Sequence, residues 1–164
     1  MRRTKRKLRA AVIAAASTVL LAGMVALAPG ADAVTPDTAT VRYDCGTLGE
    51  TDAKLTAAQS GTDAWITVEL LGITAPLSIQ PLSLTEALVL NDTGTGNPVT
   101  FTGNPANPFI AVGDPLILGP LRGTVASGES LDTLAGTYNL TFVMYGITFH
   151  CRTLTAMYGG PFMF

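Results

Sequence analysis

The stretch TYNLTFVMYGITFHCRT, residues 137–153, contains two runs of alternating apolar and polar residues. Alternation with a period of two is typical of a strand that buries one face. The apolar positions are Tyr138, Leu140 and Phe142 in the first run and Ile147, Phe149 and Cys151 in the second. Because the first set is even-numbered and the second is odd-numbered, the pattern changes phase between them. Gly146 is the residue best able to absorb this change, in a bulge or a tight hairpin turn. We therefore predict a hairpin that turns Cys151 inward and His150 outward.

The rest of the chain repeats such runs at short intervals. Further strands are predicted at residues 38–45, 54–58, 65–70, 77–79, 99–101, 109–112 and 121–127. Gly, Pro and Asn separate the runs every ten or so residues, as in antiparallel sandwiches and barrels. Residues 84–90 are the one stretch that could form a helix. We predict an all-β domain in which helices are nearly absent after residue 33.

The segment LAGTYNLTF, residues 134–142, resembles the penultimate strand of immunoglobulin-like and bacterial Ig-like domains. In those domains a glycine turn leads to a tyrosine whose hydroxyl bonds back to the upstream backbone. The resemblance implies that Tyr138 forms this tyrosine corner and that Leu140 replaces the antibody cysteine. It also implies an antiparallel Ig-like β-sandwich of about 7–9 short strands.

Other features depart from the antibody pattern. Cys45 lies in the first predicted strand and Cys151 in the last. Trp65 is expected to be a structural residue, but it follows Cys45 by twenty residues, farther than in antibody domains. This layout resembles uncharacterised exported actinobacterial proteins with a sandwich domain, a family that implies no particular activity.

The first 33 residues have the pattern of a secretory signal. A basic stretch, MRRTKRKLRA (residues 1–10), precedes the apolar run AVIAAASTVLLAGMVALA (residues 11–28) and a Pro-Gly break. Ala31 and Ala33 then form an A-x-A site, which predicts cleavage before Val34. The alternative is an uncleaved membrane anchor, because the apolar run approaches the roughly 20 residues that a spanning helix needs. We divide the remaining chain into a short leader (34–37), a sandwich domain (38–155) and an apolar tail (156–164).

Composition limits the classes of partner. The chain has 164 residues, and six of its ten bases but only one of its twelve acids precede residue 34. The 131 residues that follow therefore carry eleven acids and four bases, a formal net charge of −7. This length suits one domain. An acidic surface argues against nucleic acid, whose phosphates must be neutralised by Lys and Arg.

The two cysteines are predicted to form a disulfide bond. Both Cys45 and Cys151 lie in the part expected to be exported, where an oxidising compartment favours pairing. A zinc site is the weaker alternative because zinc usually takes four ligands. His150 is the only histidine, and no C-x-x-C motif is present.

Candidate catalytic chemistry is sparse. His150 would need a nucleophile and an orienting acid, and no G-x-S-x-G turn is present to supply a serine. The loop Asp92-x-Gly94-x-Gly96 has the spacing of a calcium site but glycines at ligand positions, which favours a plain turn. Glu50 and Asp52 are interpreted as solvated loop acids. We predict no catalytic, cofactor or metal residue.

The C-terminal tail is unusually apolar. Tyr158, Phe162, Met163 and Phe164 would form a partner surface if exposed, or cap the core if the tail folds back. The sequence favours a small secreted or envelope-associated module that binds or supports an unknown protein or envelope polymer. The alternative is a small secreted hydrolase or inhibitor with a site on its loops. Contact with a membrane is expected only through an uncleaved signal segment.

Overall fold

The computed structural model describes residues 33–164, so the predicted signal segment lies outside the described part except for Ala33. The strands are β1 (Thr38–Asp44), β2 (Glu50–Ser60), β3 (Asp63–Thr74), β4 (Thr85–Asp92), β5 (Pro98–Gly103), β6 (Pro115–Thr124), β7 (Ser130–Asp132), β8 (Tyr138–Met144), β9 (Ile147–Thr153) and β10 (Phe162–Met163). In this range the only helical element is a 3-10 turn, Gly46–Leu48, which joins β1 to β2. The all-β prediction is confirmed.

The sandwich prediction is wrong, because eight strands close into an antiparallel barrel. Around the barrel the order is β4, β5, β6, β3, β2, β1, β9 and β8, and β8 pairs with β4 to complete the circle. β7 pairs with the end of β4, at Asn91 and Asp92, on the same edge of β4 as β8, and β10 pairs with β7. A sandwich would leave two separate sheets, whereas here hydrogen-bonded pairs join the first strand to the ninth and the fourth to the eighth.

Two long strands form much of the wall. β2 and β3 have 11 and 12 residues and bury every second side chain along most of their length. Their inward residues form the core with those of the other strands, including Leu55, Ile66 and Leu70, which are fully buried. Trp65 lies on β3 in the opposite phase and is half-buried on the outer face.

The barrel consists of two well-paired halves joined by two weak seams. One half contains β1, β2, β3 and β6, and the other contains β4, β5, β8 and β9. β5 and β6 have only one pair of residues in register as sheet partners, Thr102 with Arg122. At the second seam, which we call the closing seam, β1 pairs with β9 only at Tyr43–Thr153 and Asp44–Arg152.

The disulfide between Cys45 and Cys151 continues the closing seam by one position. The Cα atoms of the two residues are 4.0 Å apart, and the β1–β9 register places them directly opposite each other. The predicted disulfide is therefore confirmed, and it fastens the place where the barrel closes.

The β8–β9 hairpin turns at Tyr145 and Gly146, which both have positive φ, 53° and 75°. This is the tight turn that the change of phase required, and it places Phe149 against Phe142 with ring centroids 5.2 Å apart. A register shift near the start of β8 also turns Asn139 inward.

Several finer predictions need correction. Residues 84–90 form part of β4 and not a helix, and residues 109–112 contribute only an isolated bridge from Ile110 to Ile79. Tyr138 is 69% exposed, so it does not anchor a tyrosine corner. The predicted leader is packed against the domain, because Val34 is buried and Thr35 pairs with Met163.

The C-terminal tail folds back onto the domain. β10 pairs with β7, and Phe162 and Phe164 are buried. Phe164 packs near Phe101 with ring centroids 6.4 Å apart. Tyr158 and Met163 remain exposed, so only part of the predicted tail surface is available to a partner.

Candidate functional site

A groove of about 540 Å³ lies at the end of the closing seam, where β1 leaves the wall of the barrel. We call it the edge groove. Its lining residues are Asp44, Cys45, Gly46, Thr47, Tyr138, Thr148, Phe149 and His150. The groove exists because the Gly46–Leu48 turn diverts the chain towards β2, while β9 and its hairpin continue past the end of β1.

The first part of β9 forms one side of this groove with an unpaired backbone edge. β8 pairs with β9 along the hairpin, but β1 pairs only with Arg152 and Thr153 at the far end of β9. In an antiparallel hairpin alternate residues point their N–H and C=O groups to the same neighbour. In a two-residue hairpin the residues that flank the turn, Met144 and Ile147, bond to each other. The corresponding groups of Thr148 and His150 therefore point away from β8, towards the groove.

The side chains around the groove provide a mixed surface. Tyr138 and His150 are exposed on the outer face, whereas Phe149 is half-buried with its ring against the core. The imidazole Nδ1 of His150 lies 3.1 Å from the Thr141 hydroxyl. An apolar floor with a few polar groups at the rim is typical of sites that bind a ligand.

Asp44 is engaged in holding the corner of the groove. One of its carboxylate oxygens accepts the Gly46 N–H at 3.0 Å, and the other lies 3.4 Å from an Arg152 nitrogen. Asp44 therefore stabilises the turn and the seam, and it is not free to orient His150. Among the residues that line the groove, Asp44 is the one carboxylate, so the Thr141–His150 pair has no unengaged acid from this lining beside it.

The other predicted candidates lie elsewhere and serve local structure. The Asp92 carboxylate accepts the N–H groups of Gly94 and Thr95 and the Thr95 hydroxyl, so the turn itself uses it. These hydrogen bonds, led by the Thr95 hydroxyl, lower the pKa of Asp92. Glu50 and Asp52 lie on β2 across from Arg42, in exposed ion pairs of 3.1 and 3.6 Å.

Sequence reasoning missed one unusual residue inside the barrel. Glu86 is 2% exposed, and neither oxygen of its carboxyl group makes a hydrogen bond of good geometry. Burial raises the pKa of Glu86 to about 8, and the nearby backbone of Gly119 offsets only part of this shift. Gly103 makes room for the carboxyl group, because a Cβ there would lie 2.5 Å from Glu86 Oε2. The signal was visible, since Glu86 shares the phase of Leu84, Leu88 and Leu90.

Two further polar side chains, Tyr43 and Asn139, are buried near the closing seam. The Tyr43 hydroxyl is fully enclosed, and burial raises its pKa, while the neighbouring Asn139 amide offsets part of the effect. Neither group makes a hydrogen bond of good geometry. Both face the interior and not the edge groove, so they belong to the packing of the barrel.

No known protein family, curated protein or solved structure matches this chain. Within residues 33–164, no helix is long and apolar enough to cross a membrane. The same residues contain no cluster of three or more His, Cys, Asp or Glu side chains suited to a metal ion.

Proposed function

We propose that this protein is an exported binding module that holds its ligand in the edge groove. The observation that carries the proposal is the combination of an open groove with an unpaired strand edge along one side. A volume of about 540 Å³ falls within the range of ligand sites. The groove is also placed on a rigid wall, because the disulfide and the β8–β9 hairpin fix its two sides.

Binding fits the groove better than catalysis. His150 has a hydroxyl beside it, but the one carboxylate that lines the groove, Asp44, is already held by Arg152 and Gly46. A base without an orienting acid is poorly prepared for proton transfer. Because the His150 side chain is exposed on β9, we expect His150→Ala to change the free energy of unfolding by less than about 0.5 kcal/mol, as at an ordinary surface position. Urea unfolding measures this change.

Export is part of the same proposal. It is supported by the basic and apolar pattern of residues 1–33 and by the disulfide, which is typical of oxidising compartments. We expect the protein in culture supernatant to begin at Val34. N-terminal sequencing tests this, and recovery only in the membrane fraction with Met1 intact would contradict it.

A blocked groove tests the binding role. Thr47 is exposed and lines the groove, so Thr47→Trp should fill it with an indole ring. Thr100→Trp, at an exposed position on β5, is the matched control. Each purified domain is immobilised and exposed to envelope material from the producing cells. The parent and Thr100→Trp should retain the same component, and Thr47→Trp should lose it. Equal retention by all three, or retention by none, would contradict the proposal.

A further inference from the structure

We propose that the edge groove binds an extended peptide segment, which adds to β9 as a new antiparallel strand. The inference rests on the proposed function, because it names the kind of ligand that the same groove takes. Addition of a strand to an exposed sheet edge is a recurring mode of peptide recognition, in which backbone hydrogen bonds supply affinity.

The free groups on β9 define the contact. The N–H and C=O of Thr148 and of His150 point towards the groove, and β1 ends before it reaches them. These four groups can bond to two residues of an incoming strand. At Cys151 the edge is already occupied, because Cys45 lies opposite it. The open stretch is therefore the first four residues of β9, up to His150.

The pleat of the strand sets the side-chain pattern of the peptide. The peptide residues opposite Thr148 and His150 point outward, in the phase of those exposed side chains. The residue between them lies opposite Phe149 and points inward, where the partly buried Phe149 offers apolar surface. The groove thus fits one apolar residue flanked by two polar residues.

A second copy of this chain does not fit as the occupant. A symmetric β9–β9 pair that uses these groups would place Thr148 of one copy opposite His150 of the other. Ile147 of the second copy would then lie opposite Cys151, in the place that Cys45 already fills. An extended segment that ends or turns away at this corner avoids the collision.

Charge favours a basic segment over an acidic one. Residues 34–164 carry eleven acids against four bases, so the domain attracts cationic peptides over a distance. The bases nearest the groove are also engaged, because Arg152 pairs with Asp44 and Arg42 pairs with Glu50. We infer that the natural partner presents a short exposed segment with an apolar centre and basic flanks.

The test uses acetylated Lys-Val-Lys amide as the probe, because its two lysines lie opposite Thr148 and His150 and no side chain of it lies opposite Cys151. Backbone NMR of the oxidised domain is the readout. The amide resonances of Thr148 and His150 should shift and saturate at millimolar peptide, the range for a few hydrogen bonds and one apolar contact. N-methylation of both lysines of the probe removes the donors that face β9 and should weaken binding at least about tenfold. N-methylation of the valine is the matched control, because its N–H points away from β9, and binding should persist.

Two protein variants give the reciprocal test. Thr148→Pro removes only the N–H that faces the groove, and proline is tolerated at such edge positions. Thr148→Ala removes the side chain but keeps that N–H. Binding should be lost in Thr148→Pro and kept in Thr148→Ala. If Thr148→Pro fails to fold, the methylated probes still decide the question.

Two results would overturn strand addition. One is the absence of any shift at the Thr148 and His150 amides at millimolar probe, and the other is equal binding of the two methylated probes. If either occurs while Thr47→Trp still abolishes capture of an envelope component, the binding module stands and the peptide mode is wrong. If instead Thr47→Trp captures the envelope component as well as the parent does, while the probe still binds at β9, the proposed envelope role is wrong.

Discussion

Glu86 shows how one side chain inside the barrel links stability to pH. It lies on β4 in line with Leu84, Leu88 and Leu90, and its carboxyl group has no hydrogen-bond partner of good geometry. An ionised carboxylate is very costly in such a place, so the group is held mainly in its neutral form up to a pKa of about 8. In the unfolded chain its pKa returns to the ordinary value of 4.5.

The direction of the pH effect follows from these two values. Below pH 4.5 the carboxyl group is protonated in both states, so it does not disfavour folding. As the pH rises towards 8, the unfolded state loses the proton while the folded state keeps it, and stability falls. We expect a loss of about 2–4 kcal/mol across this window. Asp92 does not interfere, because its lowered pKa affects stability only in more acidic solution.

Glu86→Gln tests the effect, because the amide keeps the shape but cannot ionise. In urea unfolding at pH 5 and pH 8, the parent should lose stability at the higher pH and Glu86→Gln should lose much less. Glu69→Gln, a half-exposed position on β3, is the control and should behave like the parent. Parallel pH profiles for the parent and Glu86→Gln would contradict the prediction.

Single residues were predicted well where one physical rule decides. The Cys45–Cys151 pair was predicted from two cysteines in a chain that begins with the pattern of a secretory signal, and the Gly146 turn follows from the change of phase. The prediction of a tyrosine corner at Tyr138 was wrong because it depended on a resemblance over only nine residues. The exposed edge at Thr148 was invisible, since it depends on where a distant strand, β1, ends.

The C-terminal tail is the element whose role the sequence left open. Its two-residue strand β10 pairs with β7, and Met163 also exchanges backbone hydrogen bonds with Thr35. Phe162 is 0% exposed, whereas its neighbour Met163 is 44% exposed. The tail therefore holds both the packed N-terminal residues and the end of the barrel.

Truncation of the two neighbouring side chains Phe162 and Met163 should therefore have very different effects on stability. Phe162→Ala should lower the free energy of unfolding by about 3–5 kcal/mol, because it empties a fully enclosed site. Met163→Ala should cost less than about 1 kcal/mol, because that side chain is largely in water and the backbone bonds remain. Chemical unfolding of both variants measures the difference. Similar small losses for both would indicate that the tail does not dock.

Element boundaries show where local pattern was insufficient. β2, Glu50–Ser60, was expected only at residues 54–58, because its inward side chains include threonine and small alanines with little hydrophobic signal. β4 could have been a helix from its Leu and Ala content alone. Pairing with β5 and β8 on its two sides decides the strand, and such long-range pairing overrides local propensity.

At the scale of the whole molecule, the wrong prediction was the closure of the sheet. A sandwich and a barrel share the same alternation of buried and exposed residues. They differ in whether the edge strands bond to each other, which here depends on one β5–β6 pair and two β1–β9 pairs. Nothing in the periodicity of any one strand encodes these few contacts.

The closing seam predicts how the molecule responds to reduction. The disulfide joins residues separated by 106 positions and adds a covalent link where β1 and β9 have only two registered pairs. Removing it frees a loop that spans most of the domain, which should cost about 2–5 kcal/mol. The variant in which both cysteines are replaced by serine should show this loss in urea unfolding.

Removal of the disulfide should also increase local opening of the backbone at the closing seam. Native-state hydrogen exchange should accelerate first at backbone amides of the closing seam, such as those of Asp44 and Arg152, because few other bonds hold β1 to β9. Amides in the long β2–β3 and β3–β6 ladders should open only with the whole molecule, since each ladder has eight registered pairs. Chemical reduction of the parent should reproduce the pattern of the double serine variant. Uniform acceleration throughout the barrel, or none at the seam, would show that the disulfide does not control closure.

If the seam opens as expected, the edge groove loses one of its sides, so the same variant should also bind the peptide probe more weakly.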